Sequence, residues 1–509
     1  MFIDGAYRKH RARKPFADAG FKTRLFVKNM LHYILMTKGK LKTVSSNALK
    51  KRLTLREKQR SHRLSFGNLV NKLRERIKKF PDRRMGTNIS KSLDDAALGA
   101  FSIFYMQNPS FLAHQKLMET TKGKNNARSL FGIEVILSEN HIRKLLDVVD
   151  PQLVIPVFTE IVNDLREGGY LEEYRSYKNN LLIGLDATQY FSSKKISCKQ
   201  CNTRKRVGKE KENEKEKIEY YHCVVSPVLV KPGLNRVISL PPEFITPQDG
   251  SEKQDCEYNA SKRWFEKFGE YLLELGEGEV TILGDDLYCK QPFCEEILRH
   301  KFNFILVCKP DSHKTLYEYL KFLQEDIAEV EIERWKGKHR QVDTYRFFNQ
   351  VPIKDGEKGV LEVNWCEIVT TDDEGEVIYK NSFATNHKIT RENVAQIVKD
   401  GRARWKVENE NYNVLKNRGY HLEHNFGHGK EYLSSLFVTF NLLAFLFHTV
   451  LEIVDEKYAL VRSKLVKRKT FFQHLQVLTC YWYFENWDVM MVFMIEGLEL
   501  EVPQVFDSS

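Results

Sequence analysis

Three acids stand where a carboxylate is costly. Asp186 interrupts the otherwise apolar run of residues 181–191 (LLIGLDATQYF). An ionised acid at the end of a buried strand needs a metal ion or a hydrogen-bond network to compensate it, although an Asp there can also do no more than cap the following turn. A second apolar run, residues 280–283 (VTIL), leads into Asp285 and Asp286 in the segment GDDLY. The third acid, Glu408, lies within residues 401–416 (GRARWKVENENYNVLK). On a helix turning about 100° per residue, Arg404, Glu408 and Tyr412 share a stripe and Glu410 points roughly 160° away from Glu408. The Arg404–Glu408 pair can face a phosphate-bearing site or be an ordinary ion pair on a surface helix.

Softer ligand types also occur. Cys198 and Cys201 form a CxxC, and His222-Cys223 follows after a charged segment. Such a set holds Zn²⁺ if two more ligands converge, and is a pair of free thiols otherwise. His222 and Cys223 point to opposite faces of a strand, and a second CxxC is lacking. His421, Glu423, His424 and His428 cluster after residue 420; hydrogen bonding or phosphate contact suits them better than a separate metal, because the three acids already supply hard ligands.

The elements that position these residues follow from pattern. Residues 181–191, 221–230 (YHCVVSPVLV) and 235–240 (NRVISL) read as three sequential antiparallel strands, the last two joined by the turn Lys231-Pro232-Gly233. An amphipathic helix over 259–275, a strand over 280–283, a short helix over 292–300 and a strand over 302–308 (FNFILVC) follow. Three strands, helix, strand, helix, strand is the succession of a ribonuclease H-like α/β fold. Its first and fourth strands are neighbours, so Asp186 and Asp285 face one another. Two carboxylates that close repel, and a divalent metal makes the arrangement favourable. Lys309 and His313 follow the last strand, at the carboxyl end of the sheet where ligands bind in α/β folds, and are candidate ligand contacts.

Alternation over 342–347, 361–370 and 377–384 with turn residues between predicts a β-rich insertion spanning 313–390. Helices return at 390–400, with Thr390 as the expected N-cap. The expected organisation is a basic arm (1–85), a small all-helical domain (86–175), the first part of the α/β core (176–312), the insertion (313–390), the closing helices of the core (391–455) and a C-terminal helical region (456–509). The charged run 204–217 is expected to be a loop.

The charge is unevenly spread. The chain of 509 residues carries 80 Lys plus Arg against 68 Asp plus Glu, for a net +12. Its first 80 residues hold 23 basic against 4 acidic groups, or +19, leaving the remainder at −7. A basic arm interleaved with apolar residues at helical spacing fits a polyanion, where each cation laid on a phosphate releases a counterion. Residues 2–20 lack the apolar core of a secretory signal. Nine scattered cysteines point to free thiols in a reducing, cytoplasmic compartment. The apolar run 436–450 (LFVTFNLLAFLFHTV) is shorter than the roughly 20 residues a bilayer requires, and contains Asn441 and His448; it reads as a buried core helix, with no membrane association.

LDATQYF, then GDDLY after a buried strand, then RWKVENENYNVLK followed by GYHLEHNFGHG resemble, in order and on matching elements, the catalytic segments of bacterial insertion-sequence transposases of the DDE class. The subgroup resembled has a β-rich insertion and a Tyr/Arg/Glu/Lys-type signature helix. The resemblance spans about residues 91–452. It implies metal-dependent DNA cleavage at transposon ends and strand transfer into target DNA, carried out by a homodimer on terminal inverted repeats in the bacterial, nucleoid-associated cytoplasm, with the basic arm and the helical domain 86–175 as the DNA-binding region, residues 176–312 and 391–455 as the catalytic core, and Lys309 and His313 among the DNA contacts. By position Asp186, Asp285 and Glu408 match the three metal-binding catalytic acids, and Arg404 and Lys416 the signature cations, with Tyr412 beside them as a DNA contact. The Asp-x-x-aromatic spacing to Tyr288 favours Asp285, with Asp286 as the alternative. Two positions depart from the pattern: Gly401 stands where the signature has tyrosine, and Lys416 comes one residue late, after Leu415. Two Mg²⁺ or Mn²⁺ ions about 4 Å apart suit three carboxylates and a bridging phosphate. The alternatives are a ribonuclease H-like nuclease that cuts without strand transfer, and a domesticated DNA-binding protein that has lost catalysis.

Overall fold

The computed structural model describes residues 63–85, 91–206, 217–247, 255–356 and 359–501. Most of the expected basic arm, residues 1–62, lies outside them, as do 86–90 and the middle of the charged run.

Runs that are apolar along their whole length become strands buried on both faces. In chain order the strands are β1 (Leu181–Gly184), β2 (Ala187–Ser193), β3 (Asn202–Arg206), β4 (Lys217–Val225), β5 (Val228–Val230), β6 (Ile238–Ser239), β7 (Glu243–Ile245), β8 (Val280–Gly284), β9 (Asn303–Val307), β10 (Ala328–Lys336), β11 (His339–Pro352), β12 (Glu362–Thr371) and β13 (Val377–Thr385). Every residue of β1, β5 and β8 is buried.

Nine strands form one mixed sheet in the order β10-β11-β12-β13-β9-β8-β1-β5-β6. Within it β5 and β6 run antiparallel in sequence from β1, and β8 and β9 run parallel to β1. That order, with the first strand beside the fourth, is compatible with the ribonuclease H-like expectation. The first two expected strands are bent. β1 breaks into β2 at Leu185-Asp186 and β4 breaks into β5 at Ser226-Pro227, so β2, β4 and β3 form a second, smaller sheet that β7 joins through β4. Residues 204–206 and Lys217, expected in a loop, are strand residues of this sheet.

The β-rich stretch does not form a separate body. β13 pairs antiparallel with β9, and β12, β11 and β10 continue the same sheet as a meander. β10 (AEVEIERWK) escaped the sequence reading because charges occupy both faces: nearly all of it is exposed.

The helices are α1 (Phe66–Ile77), α2 (Leu93–Tyr105), α3 (Phe111–Glu119), α4 (Thr121–Asn126), α5 (Glu139–Leu146), α6 (Ile155–Glu167), α7 (Glu257–Leu275), α8 (Gln291–Arg299), α9 (Lys314–Phe322), α10 (Val394–Arg402), α11 (Asn413–Asn417), α12 (Leu433–Val454), α13 (Glu456–Lys464), α14 (Arg468–Tyr481) and α15 (Trp487–Gly497). α10 begins directly after Asn393, whose side chain makes no capping hydrogen bond and accepts instead from the Thr390 N–H at 2.8 Å.

The expected boundaries at 85 and 175 are crossed by packing. Ring centroids of Phe101 on α2 lie 5.0 Å from Phe447 and 6.2 Å from Phe440, both on α12. Phe66 of α1 stacks on Trp487 of α15 at 4.7 Å, and Asn126 donates to the carbonyls of Thr479 and Trp482. α2 is buried from Asp95 to Tyr105, which removes it from DNA readout. The described cations of the basic arm are partly used internally: Lys72 pairs with Asp164 at 2.8 Å, and Arg76 with Glu160. α12 is long and apolar enough to cross a membrane, but 89% of its most apolar stretch is buried inside the protein. Two of its polar residues find one partner each there, Asn441 Nδ2 donating to the Tyr420 carbonyl at 2.8 Å and His448 Nδ1 bonding to the Tyr420 hydroxyl at 2.6 Å, while Asn441 Oδ1 and His448 Nε2 stay buried without a partner among the described residues.

Candidate active site

The parallel pairing of β1 with β8 brings two of the acids together. Gly184 is in register with Leu283, and Leu185 N–H donates to the Leu283 carbonyl at 2.8 Å. The residues that follow, Asp186 and Asp285, therefore emerge side by side from neighbouring strand ends. Asp186 Oδ1 accepts from the Ala187 N–H at 2.9 Å, and Asp285 Oδ1 from the Leu287 N–H at 2.9 Å, so each also caps its own turn.

A third carboxylate joins them that the sequence reading did not single out. Glu257 lies in the first turn of α7, two residues before the helix was expected to begin, and its Oε1 accepts from the Tyr288 hydroxyl at 2.6 Å. Burial first, and then the Glu257 and Asp285 charges against the opposing Arg404, together raise the Asp186 carboxyl to about 7. Burial and the Asp285 charge likewise raise Glu257, against the Tyr288 hydrogen bond. The three acids thus share one electrostatically unfavourable space, the condition that a divalent cation relieves.

Glu408 reaches this space through Arg404. The guanidinium Nη2 donates to Glu408 Oε1 at 2.9 Å while Nη1 lies 4.0 Å from Asp186 Oδ2. The Glu408 side chain is 55% exposed. The segment that carries it is not a regular helix: Val407–Tyr412 forms a π-helical turn between α10 and α11, so the stripe expected at 100° per residue does not apply. π-turns of this kind recur at functional sites. Close packing sets its position. A Cβ added to Gly184 would lie 2.4 Å from Val407 Cγ2, and one added to Gly401 would lie 2.7 Å from Ile305 Cγ2 and 2.9 Å from Phe383. The second contact explains why the tyrosine expected at position 401 is absent.

Other expectations change in detail. Tyr412, expected to contact DNA, is only 6% exposed. Its hydroxyl donates to the Asp186 carbonyl and accepts from Ser226 N–H at 3.4 Å, clamping the bends of both long strands. Asp286 points elsewhere than Asp285: its Oδ1 accepts from Lys309 N–H at 2.8 Å and lies 3.3 Å from His313 Nε2. His313 is 4% exposed, with burial lowering its pKa, so it is enclosed beside Asp286 instead of offered to DNA. Lys309 is exposed. Lys416 pairs with Glu423 at 2.9 Å. Beside Arg404, residues Val307, Tyr379, Asn381, Arg402 and Trp405 line an open cleft of about 300 Å³, with Trp405 43% exposed at its edge. Cys198, Cys201 and His222 converge in a separate cluster that His428 completes.

No protein-family model matches the chain, and no curated protein matches it. Among solved structures it is similar to a piggyBac transposase in a synaptic complex with hairpin DNA, at 12% sequence identity and a TM-score of 0.36, over 89% of this chain and 84% of that one.

Proposed function

We propose that this chain is a DDE-type transposase, cutting DNA at the ends of its own element and joining them to target DNA. The observation that supports this most is the meeting of Asp186, Asp285 and Glu257 in one space, with Arg404 linking Asp186 to Glu408. The donor set is all oxygen and partly buried, and its charges repel, which fits Mg²⁺ or Mn²⁺ held by Asp186, Asp285 and Glu408, with Glu257 as a further carboxylate. Such ions supply Lewis acidity to a scissile phosphate and a nucleophile from water or a 3'-hydroxyl.

The chain's own residues do the remaining work. Tyr412 fixes the backbone at Asp186, and the Leu287 N–H orients Asp285. Arg404 offers a guanidinium to phosphate once Glu408 is engaged elsewhere, and Lys309 and Lys416 add positive charge. Trp405 presents an aromatic face on which a base can stack, a contact tolerant of sequence. The basic arm and a second copy of the chain serve to hold two DNA ends together.

A pre-cleaved element end, taken from the sequence flanking this reading frame, is mixed with target plasmid and Mg²⁺. Joined product is expected. Cleavage without joining means a nuclease, and a gel shift alone means a binding protein; either result overturns the proposal.

A further inference from the structure

The four residues Cys198, Cys201, His222 and His428 bring two sulfurs and two imidazole nitrogens to within 4.8 Å of one another. The separations are specific. The two Sγ atoms are 3.8 Å apart, Cys198 Sγ is 3.4 Å and Cys201 Sγ 3.3 Å from His222 Nε2, Cys201 Sγ is 3.4 Å from His428 Nε2, and the two Nε2 atoms are 3.1 Å apart. Ligands at about 2.3 Å (sulfur) and about 2.0 Å (nitrogen) from a tetrahedral centre define edges of about 3.8 Å for S–S, about 3.5 Å for S–N and about 3.3 Å for N–N. The observed edges follow that tetrahedron to within a few tenths of an ångström. The sulfurs are also too far apart for a disulfide, whose bond is about 2.05 Å.

The surroundings prepare the same geometry. The His428 ring makes a 3.1 Å hydrogen bond through Nδ1 to the Gly429 carbonyl, which makes Nδ1 the protonated nitrogen and leaves the Nε2 lone pair toward the cluster, as metal-bound histidines require. His222 stacks on Tyr190 at 5.5 Å and 12°, and the Phe191 ring lies 4.4 Å from that of His428. Cys201, His222 and His428 are buried. Imidazoles and thiols packed this closely with few other partners are costly unless a cation neutralises and joins them.

From this we infer that the chain carries a structural zinc site, with Cys198, Cys201, His222 and His428 as its four ligands. The set is closed, with no position for substrate, which is the pattern of a structural zinc site. Its location gives it a task. β2 begins immediately after Asp186 and leads toward Cys198, and the π-turn that carries Glu408 leads through α11 toward His428. The far side of the His428 turn is already anchored, because the Asp147 carboxylate accepts from the Lys430, Glu431 and Leu433 N–H groups. Zinc therefore straps the small sheet that extends from Asp186 to the segment that extends from Glu408.

The full chain is purified in chelator-free buffer after growth with zinc, and its metal content is measured. One equivalent of zinc per chain is expected, released in step with modification of the cysteines by p-hydroxymercuribenzoate. Cobalt in its place is expected to show the visible absorption of a tetrahedral, thiolate-ligated ion. Cys198→Ser with Cys201→Ser, and separately His428→Ala, are expected to lose the zinc, whereas His424→Ala keeps it. Wild-type protein free of zinc, zinc retained by the double cysteine variant, or a six-coordinate cobalt spectrum overturns the assignment. The mercurial and cobalt measurements use the wild-type chain and decide the matter even if the variants fail to fold.

Discussion

The carboxylate site and the Cys/His cluster are linked by β2, which begins just after Asp186 and ends before Cys198, yet they are built on opposite terms. At the carboxylates, ligand atoms are hard and partly open to solvent, and their charges repel: Asp186 is pushed up to about 7 while Glu408 is 55% exposed. At the cluster the atoms are soft and largely enclosed, and already stand at tetrahedral spacing. A centre that must admit a phosphate is left unbalanced and open, whereas a centre that only holds chain segments together is closed. The two proposed readings follow this contrast, a metal site for chemistry at the carboxylates and one for structure at the cluster.

Substitutions should separate the two. Asp186→Asn, Asp285→Asn and Glu408→Gln are each expected to lower DNA cleavage by on the order of 10³-fold or more while leaving zinc content unchanged, measured by product yield and metal analysis on the same preparations. Loss of zinc in these variants would merge the sites that the comparison holds apart. Cys198→Ser with Cys201→Ser is expected to act the other way, lowering unfolding free energy by about 3 kcal/mol or more in chemical denaturation. Its residual cleavage should still depend on Asp285.

A smaller effect is expected at Glu257. Glu257→Gln should weaken Mg²⁺ dependence by about 10- to 100-fold, seen as a shift of the Mg²⁺ concentration giving half-maximal cleavage, with little change at saturation.

The smallest effect concerns pH. The folded protein holds a proton on Asp186 up to about 7, against 3.8 ordinarily. Between those values the folded state binds more protons than the unfolded state, so this group's contribution to stability falls as pH rises through that window. In magnesium-free buffer Asp186→Asn should therefore match the wild type near pH 4 and exceed it by about 2 kcal/mol near pH 7.5. Thermal melts at the two pH values measure the difference, and added Mg²⁺ should reduce it. A variant that is less stable than the wild type near pH 7.5 would contradict the unfavourable electrostatics assigned to Asp186.

What could be read from sequence was whatever is local. Apolar runs ending in acids gave the positions of Asp186 and Asp285, and the succession of elements gave the order around β1 and β8. The rest depends on long-range packing. The π-turn at Glu408 is set by Val407 lying on Gly184, which no periodicity reveals. His428 joins His222 across 206 residues of sequence, so the set Cys198, Cys201 and His222 looked one ligand short. Glu257 was missed because its helix begins two residues earlier than its apolar pattern. The helices before residue 175 read as a domain of their own; that they pack on α12 and α15 is legible only in the folded chain. Tyr412 and His313 looked available to DNA because residue type does not report burial.

The most direct measurement compares wild-type protein with Asp285→Asn on intact element-end DNA in Mg²⁺, with binding followed in parallel by gel shift. The wild type is expected to cleave and the variant to bind equally well without cleaving. Cleavage by the variant at the wild-type rate, or wild-type cleavage that persists without a divalent ion, would contradict the assignment of the carboxylates as the reactive centre.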